Sequence, residues 1–268
     1  MTRTAPRIAA GAHLYPGPDG AWRYHRPGDE FVRITAPEDL LVAAQRLLHG
    51  SAAGDRPEGL DQLLAAFGER GLLAGTEAGE PTALATVWVE GDNPIADQVS
   101  RLLHDEVRVL TGPADEGAAR ADLVISCAGW LPDARWRRLD RLCRERGIAW
   151  HMSYAEGRRW YVGPLAVPGV TAGYTDVRGR RLAAGGVPGE LLAHWAYLDS
   201  AAAAPPVPWP NAGAAAIVAG LIVNDVLAWR DTGTAAAHGC QIGVDPGTGE
   251  LTRHPVLPLP AMAGSEEP

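Results

Sequence analysis

Between residues 83 and 156 the chain repeatedly follows a short, unbroken apolar run with a helical stretch, and no other feature restricts its fold as much. ATVWVEG turns into GDNPIADQVSRLLHDE; EVRVL and ADLVISCAGW come next, then the charged PDARWRRLDRLCRERG and the run IAWHMSY. A strand that is apolar at every position is buried on both faces. Such strands alternating with helices predict a parallel sheet, wound in the Rossmann manner with helices on both sides.

The segment before it obeys a different period. Short extended pieces, HLYPGPDG, AWRYHRPGDE and FVRIT, are separated by turn chemistry at 16–20 and 27–29, which predicts a three-stranded antiparallel meander. Pro37, Glu38 and Asp39 then open an amphipathic helix whose broad face carries Leu40, Leu41, Ala44, Leu47 and Leu48, closed by Gly50. After SAAGDRPEG a second helix aligns Leu60, Leu63, Leu64 and Phe67. The order β-β-β-α-α is that of a small winged-helix-like fold. The small, acidic stretch AGTEAGEPT marks a boundary, so two domains of an α/β protein are expected, 1–76 and 83–268.

Beyond residue 157 the pattern loosens through RRWYVGPLAVPGVTAGYTDVRGRR. The Pro-rich AAAAPPVPWPN delivers the chain to an Ala-rich helix from about Asn211 to Trp229, with Asn211 as N-cap. Trp195, Trp209 and Trp229 are expected in a core or an interface. The tail GCQIGVDPGTGELTRHPVLPLP reads as a β-hairpin turning at 246–249.

Composition excludes several functions. A net charge of −8 and a pI near 5.5 argue against a general nucleic-acid binder, which needs clustered cations. The chain contains no lysine, so a Walker-type phosphate loop and Schiff-base catalysis are excluded. MTRTAPRIAAGAHLYPG lacks an apolar core of secretory length, and three cysteines fit a reducing cytoplasm. The run 212–223, interrupted by Asn224 and Asp225, is too short to span a bilayer and is expected as a buried helix, with no membrane partner.

The strand-turn-helix at 87–99 is where a Rossmann-type fold holds phosphate, yet only Gly91 remains of the glycines, and Asp92, Asn93 and Pro94 follow it. A structural remnant is expected there rather than a nucleotide site. Cys127 ends a Val-Ile strand; it fits a small buried hydrophobe better than a nucleophile activated by His151 or His104. Cys143 and Cys240 are distant from it, no C-x-x-C occurs, and the histidines show no metal-binding spacing. The cluster Arg135, Arg137, Arg138, Arg141, Arg144 and Arg146 is interleaved with Asp133, Asp140 and Glu145, as in a solvated helix laced with ion pairs; the rival reading is attraction of an acidic partner.

Taken in order, VWVEGDNPIADQVSRLL, ADLVISCAGW, GIAWHMSYAEG and GPLAVPGVTAGYTDVRGRR resemble the ocin-ThiF-like proteins. These are the leader-peptide-binding partners of azoline-forming, YcaO-type cyclodehydratases in thiazole/oxazole-modified peptide and thiopeptide biosynthesis. The resemblance implies an N-terminal RiPP recognition element, winged-helix-like, that captures a leader peptide as an added strand. It implies behind it a degenerate Rossmann-like domain of adenylating-enzyme type. The family's element has three helices, and its middle one would be short or lie within SAAGDRPEG. Many members hold a structural zinc through two C-x-x-C pairs. Here Gly173 and Asp176 stand at the first pair and PLPAMAGSEEP at the second, so no zinc is expected, and apolar packing would hold that region.

On this reading the strand Glu30, Phe31, Val32, Arg33 and Ile34 offers its edge to the leader of a precursor peptide, beside a helix carrying Leu60, Leu64 and Phe67, with Arg70 placed to meet an acidic residue. No catalytic residue, cofactor or metal is expected, and pairing with a second copy is left open. The rivals are a nucleotide-using enzyme, adenylating or oxidoreductase, and a winged-helix DNA-binding regulator. To Thr76, eight arginines against nine acidic residues leave a net of −1, which gives the last little phosphate attraction.

Overall fold

The computed structural model describes residues 6–9, 11–26, 30–49, 56–73, 81–200 and 205–260. The turn at 27–29, Gly50, residues 51–55 of SAAGDRPEG, residues 74–80 of the boundary stretch 74–82, residues 201–204 and the tail from 261 lie outside the described residues, and residues 56–59 of SAAGDRPEG form no helix. The chain divides into two compact units, Met1–Ala78 and Gly79–Pro268.

In the smaller unit β1 (His13–Pro16), β2 (Trp22–Arg26) and β3 (Glu30–Ile34) form an antiparallel sheet in that order, followed by α1 (Glu38–Leu48) and α2 (Leu60–Glu69). Alternation along the strands sends Leu14, Trp22, Tyr24 and Ile34 inward, where they pack with Leu41, Ala44 and Leu48 of α1 and with Leu60, Leu64 and Phe67 of α2. Each fully buried Leu or Phe in such a cluster contributes roughly 1.5–3 kcal/mol. Tyr24 crosses this core, and its hydroxyl donates to the carbonyl of Leu72.

The larger unit is built on β4 (Thr86–Glu90), β5 (Arg108–Thr111), β6 (Leu123–Trp130), β7 (Ala149–Glu156), β8 (Arg159–Ala166), β9 (Cys240–Val244) and β10 (Leu251–Pro255), in the order β10-β9-β8-β7-β6-β4-β5. The strands β7, β6, β4 and β5 are parallel, while β8, β9 and β10 are antiparallel. The sheet is therefore mixed and not parallel throughout. Glu156 pairs with Arg159 across a turn too short for a crossover, and Gly157, at φ +59°, makes it. The unbroken apolar runs follow from burial on both faces. Leu123, Ile125 and Cys127 pack against α3 (Pro94–Leu103) and α8 (Ala212–Thr232), while Val124 and Ala128 join the opposite cluster. That second layer contains α4 (Ala114–Gly117), α5 (Asp133–Arg146), α6 (Tyr174–Ala184) and α7 (Pro188–Asp199). Its centre is Trp136, ringed edge-on by Trp150, Tyr154 and Tyr174 at 5.5–5.8 Å between centroids.

The sequence marks the run in α8 as too short to cross a bilayer; the helix in fact runs 21 residues, long and apolar enough to do so by composition alone. Asp225 does not end it, because its carboxylate turns inward, accepting from Ala237 N at 3.1 Å and lying 3.1 Å from His151 Nε2, with both side chains fully buried. The helix packs on the sheet, and Asn211 caps it by accepting from Ala214 N at 3.0 Å. Trp195 and Trp229 are buried, whereas Trp209 is 38% exposed and stacks on Trp160 at 5.4 Å.

Candidate functional site

The hydrogen-bond phase of the small sheet decides which backbone groups are available. Gly17 N donates to Ala21 O at 2.8 Å across the first turn, so Tyr15–Arg23 and His13–His25 are the hydrogen-bonded pairs of β1 and β2. Alternation then turns Trp22, Tyr24 and Arg26 of β2 toward Ile34, Val32 and Glu30 of β3. The backbone N–H and C=O groups of Phe31 and Arg33 consequently point away from the sheet, and among the described residues no further strand pairs with them.

The side chains of β3 divide accordingly. Ile34 is buried, Val32 packs partly on the core, and Phe31 is 59% exposed, its ring 4.8 Å from that of His25 on the outer face. Glu30 lies 3.2 Å from Arg26, whose other nitrogen donates to the carbonyl of Arg70 at 2.9 Å. Arg26, absent from the residues read as a site, thereby joins the start of β3 to the end of α2. The exposed Arg70 makes no ion pair among the described residues. Leu60, Leu64 and Phe67 are 3%, 7% and 2% exposed; they belong to the core and offer little surface to a ligand.

The carboxyl end of the larger sheet is where an open α/β fold normally binds its ligand. Three helix N-termini converge there, and each is satisfied from within the chain. Asn93 accepts from Ile95 N and Ala96 N at 3.1 Å, capping α3, and its Nδ2 donates to Cys127 O at 2.9 Å. Glu90 accepts from Ala114 N at 3.0 Å at the start of α4, and Asp199 from Ala134 N at 2.9 Å at the start of α5. Two carboxylates thus hold positions at which an anion would bind. Gly91, at φ +135°, turns tightly under this cap, and a Cβ there would lie 2.6 Å from Cys127 O. The Pro-rich segment closes the crevice from above. Trp130 Nε1 donates to Pro205 O at 2.7 Å, and Val207 packs so tightly on Gly129 that a Cβ at 129 would collide with it. A cavity of about 480 Å³ remains, bordered by Asp92, Arg135, Arg138 and Asp199.

Burial pushes the Cys127 thiol up to about 12, which keeps it neutral and unreactive at ordinary pH. His151, on the neighbouring strand β7 opposite Ile125, is fully buried and directed at Asp225, so it and Cys127 form no accessible nucleophile and base.

The region at which the resemblance would place a zinc pair is packed as expected, with Ala172, Tyr174, Val177 and Val256 buried in one apolar cluster, and hydrogen bonds to two carboxylates add to that packing. Asp176 accepts from Gly173 N at 2.9 Å and from Leu259 N at 2.7 Å, and Arg180 donates to Pro258 O at 2.9 Å. Beneath them Asp140 accepts from Trp150 Nε1, Tyr174 N and the Thr175 hydroxyl. Gly173 has no donor side chain and both oxygens of Asp176 are engaged, so these residues do not fit a zinc ion. Among the described residues no three His, Cys, Asp or Glu side chains are grouped as metal ligands.

No protein-family model and no curated protein matches the sequence. Solved structures do match it. A heterocyclase in complex with substrate and cofactor superposes with a TM-score of 0.64 at 14% identity, over 95% of this chain and 38% of that one. The heterocyclase TruD gives 0.61 at 18% identity, over 96% of this chain and 42% of that one. Against these two, the chain spans about two fifths of the length. E. coli MccB gives 0.61 at 12% identity over 97% and 96% of the two chains, and the same protein has been solved with AMPCPP and MccA. The chain has their fold, a mixed α/β arrangement with a small antiparallel sheet at its start.

Proposed function

We propose that the smaller unit binds the leader of a ribosomally made precursor peptide as a fourth strand on β3. On this reading the chain presents that peptide, in the cytoplasm, to a separate YcaO-type cyclodehydratase that uses ATP to form azoline rings. The open edge at Phe31 and Arg33 carries the reading, because two exposed donor–acceptor pairs at strand spacing are what an extended peptide can satisfy. Phe31 supplies an exposed apolar contact, Arg70 meets an acidic leader residue, and Leu60, Leu64 and Phe67 act from beneath by fixing the floor.

The larger unit serves as a docking platform and turns nothing over. Support comes from the internally capped helices and from Val207 lying in the crevice. The likeness to heterocyclases and MccB supports a role in peptide maturation. Fluorescence polarisation with the labelled leader tests the proposal: saturable binding at micromolar or lower concentration is expected. No saturable binding, with the cyclodehydratase processing the peptide unaided, overturns it.

One observation favours a nucleotide-using enzyme instead, the cavity of about 480 Å³ that retains Arg135 and Arg138. Calorimetry with ATP and NAD distinguishes the two readings, since only the enzyme gives heats of binding.

A further inference from the structure

Helix α5 turns Trp136, Leu139, Asp140 and Cys143 inward and leaves Arg137, Arg138, Arg141 and Arg144 exposed. Arg178 of α6 faces the same side, and the five arginines line a groove of about 620 Å³ that Leu259 borders. Two aspartates lie beneath it, 5% and 3% exposed. Asp133 holds Arg178 at 2.8 Å and Arg137 at 3.4 Å, and Asp140 holds Arg144 at 2.7 Å. Both carboxylates are also engaged elsewhere, Asp133 by the Tyr174 hydroxyl at 2.7 Å and Asp140 by Trp150, Tyr174 and Thr175.

The aspartates fix the outer arginines without cancelling them. Arg138 and Arg141, at the middle, make no ion pair among the described residues. The groove is a local excess of positive charge on a chain whose net charge is −8.

We propose that this groove binds a carboxylate-rich helical or extended segment of a partner protein. The spacing argues for a peptide. From Arg137 to Arg144 is about 10 Å along the helix axis, so the guanidinium groups meet several separate carboxylates rather than one compact phosphate. A planar guanidinium grips a carboxylate with two parallel hydrogen bonds, which suits side chains presented one by one. A nucleic acid would need a longer basic track, and the overall negative charge repels one. This inference does not rest on the leader-binding reading, which concerns the other unit.

The test uses the full chain and a fluorescein-labelled, alanine-based peptide with Glu at every third and fourth position, against the same peptide with Gln. Saturable anisotropy with the Glu probe, weakening as salt rises, is expected, with none for the Gln probe. Arg138→Glu with Arg141→Glu should weaken binding about tenfold or more while leaving thermal unfolding unchanged, since both side chains are exposed and make no ion pair among the described residues. The Gln pair at the same positions is the milder variant, expected to lose affinity in the same direction.

Failure of the Glu probe to saturate, equal binding of the Gln probe, or unchanged binding by both double variants overturns the proposal. So does tighter binding of a DNA oligonucleotide, or loss of the probe on changing β3 instead. Leader binding measured on the same variants should stay intact, which keeps the two readings separable.

Discussion

The side-chain amide of Asn93 donates to the carbonyl oxygen of Cys127 at 2.9 Å, tying the first turn of α3 to the end of the neighbouring strand β6. One side chain thereby caps a helix and occupies the space in front of it. Asn93→Ala should cost about 1–3 kcal/mol by losing the cap and leaving a buried carbonyl unpaired. Urea unfolding measures the loss. Calorimetry on the variant should still detect no ATP, because Asp92, Glu90, Asp199 and Val207 remain in place.

Proline separates the two edges of β3. A proline at 33 removes an N–H that points outward, a position where edge strands tolerate it, whereas a proline at 32 removes one directed at Tyr24. Arg33→Pro should therefore keep the unfolding transition and lose leader binding, with Arg33→Ala as the control for the charge. Val32→Pro should destabilise the smaller unit itself. If Arg33→Pro and Arg33→Ala bind equally well in polarisation, the strand-addition geometry is wrong.

The thiols give the molecule an alkaline weakness. Burial pushes Cys127 and Cys143 up from 9.0 to about 12. A raised folded-state value means the folded form holds its protons longer than the unfolded one. The contribution is complete below about 9 and is lost as the pH rises toward about 12. Replacing both by Ala should flatten that part of the stability curve. At about pH 8 a thiol reagent should label Cys240, which is partly exposed, and reach the other two only in denaturant.

Asp225 has two buried partners, His151 Nε2 and Ala237 N, each at 3.1 Å. Asp225→Ala strands both and should cost about 2–5 kcal/mol in denaturant unfolding. Changing Asp225 to Leu and His151 to Phe together should recover part of that loss, because an apolar pair needs no partner there.

Much of this architecture is legible in the residues because burial on two faces leaves an unmistakable trace. Val87, Val89, Leu123 and Ile125 sit in uninterrupted apolar runs for that reason. The trace fades where one face is open. Helix α7 buries only Trp195 and leaves Leu192 and Tyr197 exposed, so it presents no stripe to read. Strand β8 is interrupted in sequence by Gly163 and Pro164; its hairpin with β7 is local, but its other neighbour, β9, arrives some eighty residues later. In the smaller unit, the spacing of Leu60, Leu64 and Phe67 marks a face without saying whether a core or a ligand covers it. The edge of β3 is different: the turn at Gly17, not the strand's own residues, determines which groups face out. Of the arginines on α5, the sequence shows all and distinguishes none. What separates Arg138 and Arg141 is the arrival of Arg178 from another helix and the depth of Asp133 and Asp140.

The Val207 contact with Gly129 bears on redesign. A binding crevice blocked by a side chain can be opened by one substitution, but here the main chain of the 205–210 segment lies across it, anchored at Trp130 and Trp209. Widening the cavity at that end of the sheet would therefore require rerouting a connection between helices, which point mutation alone does not achieve.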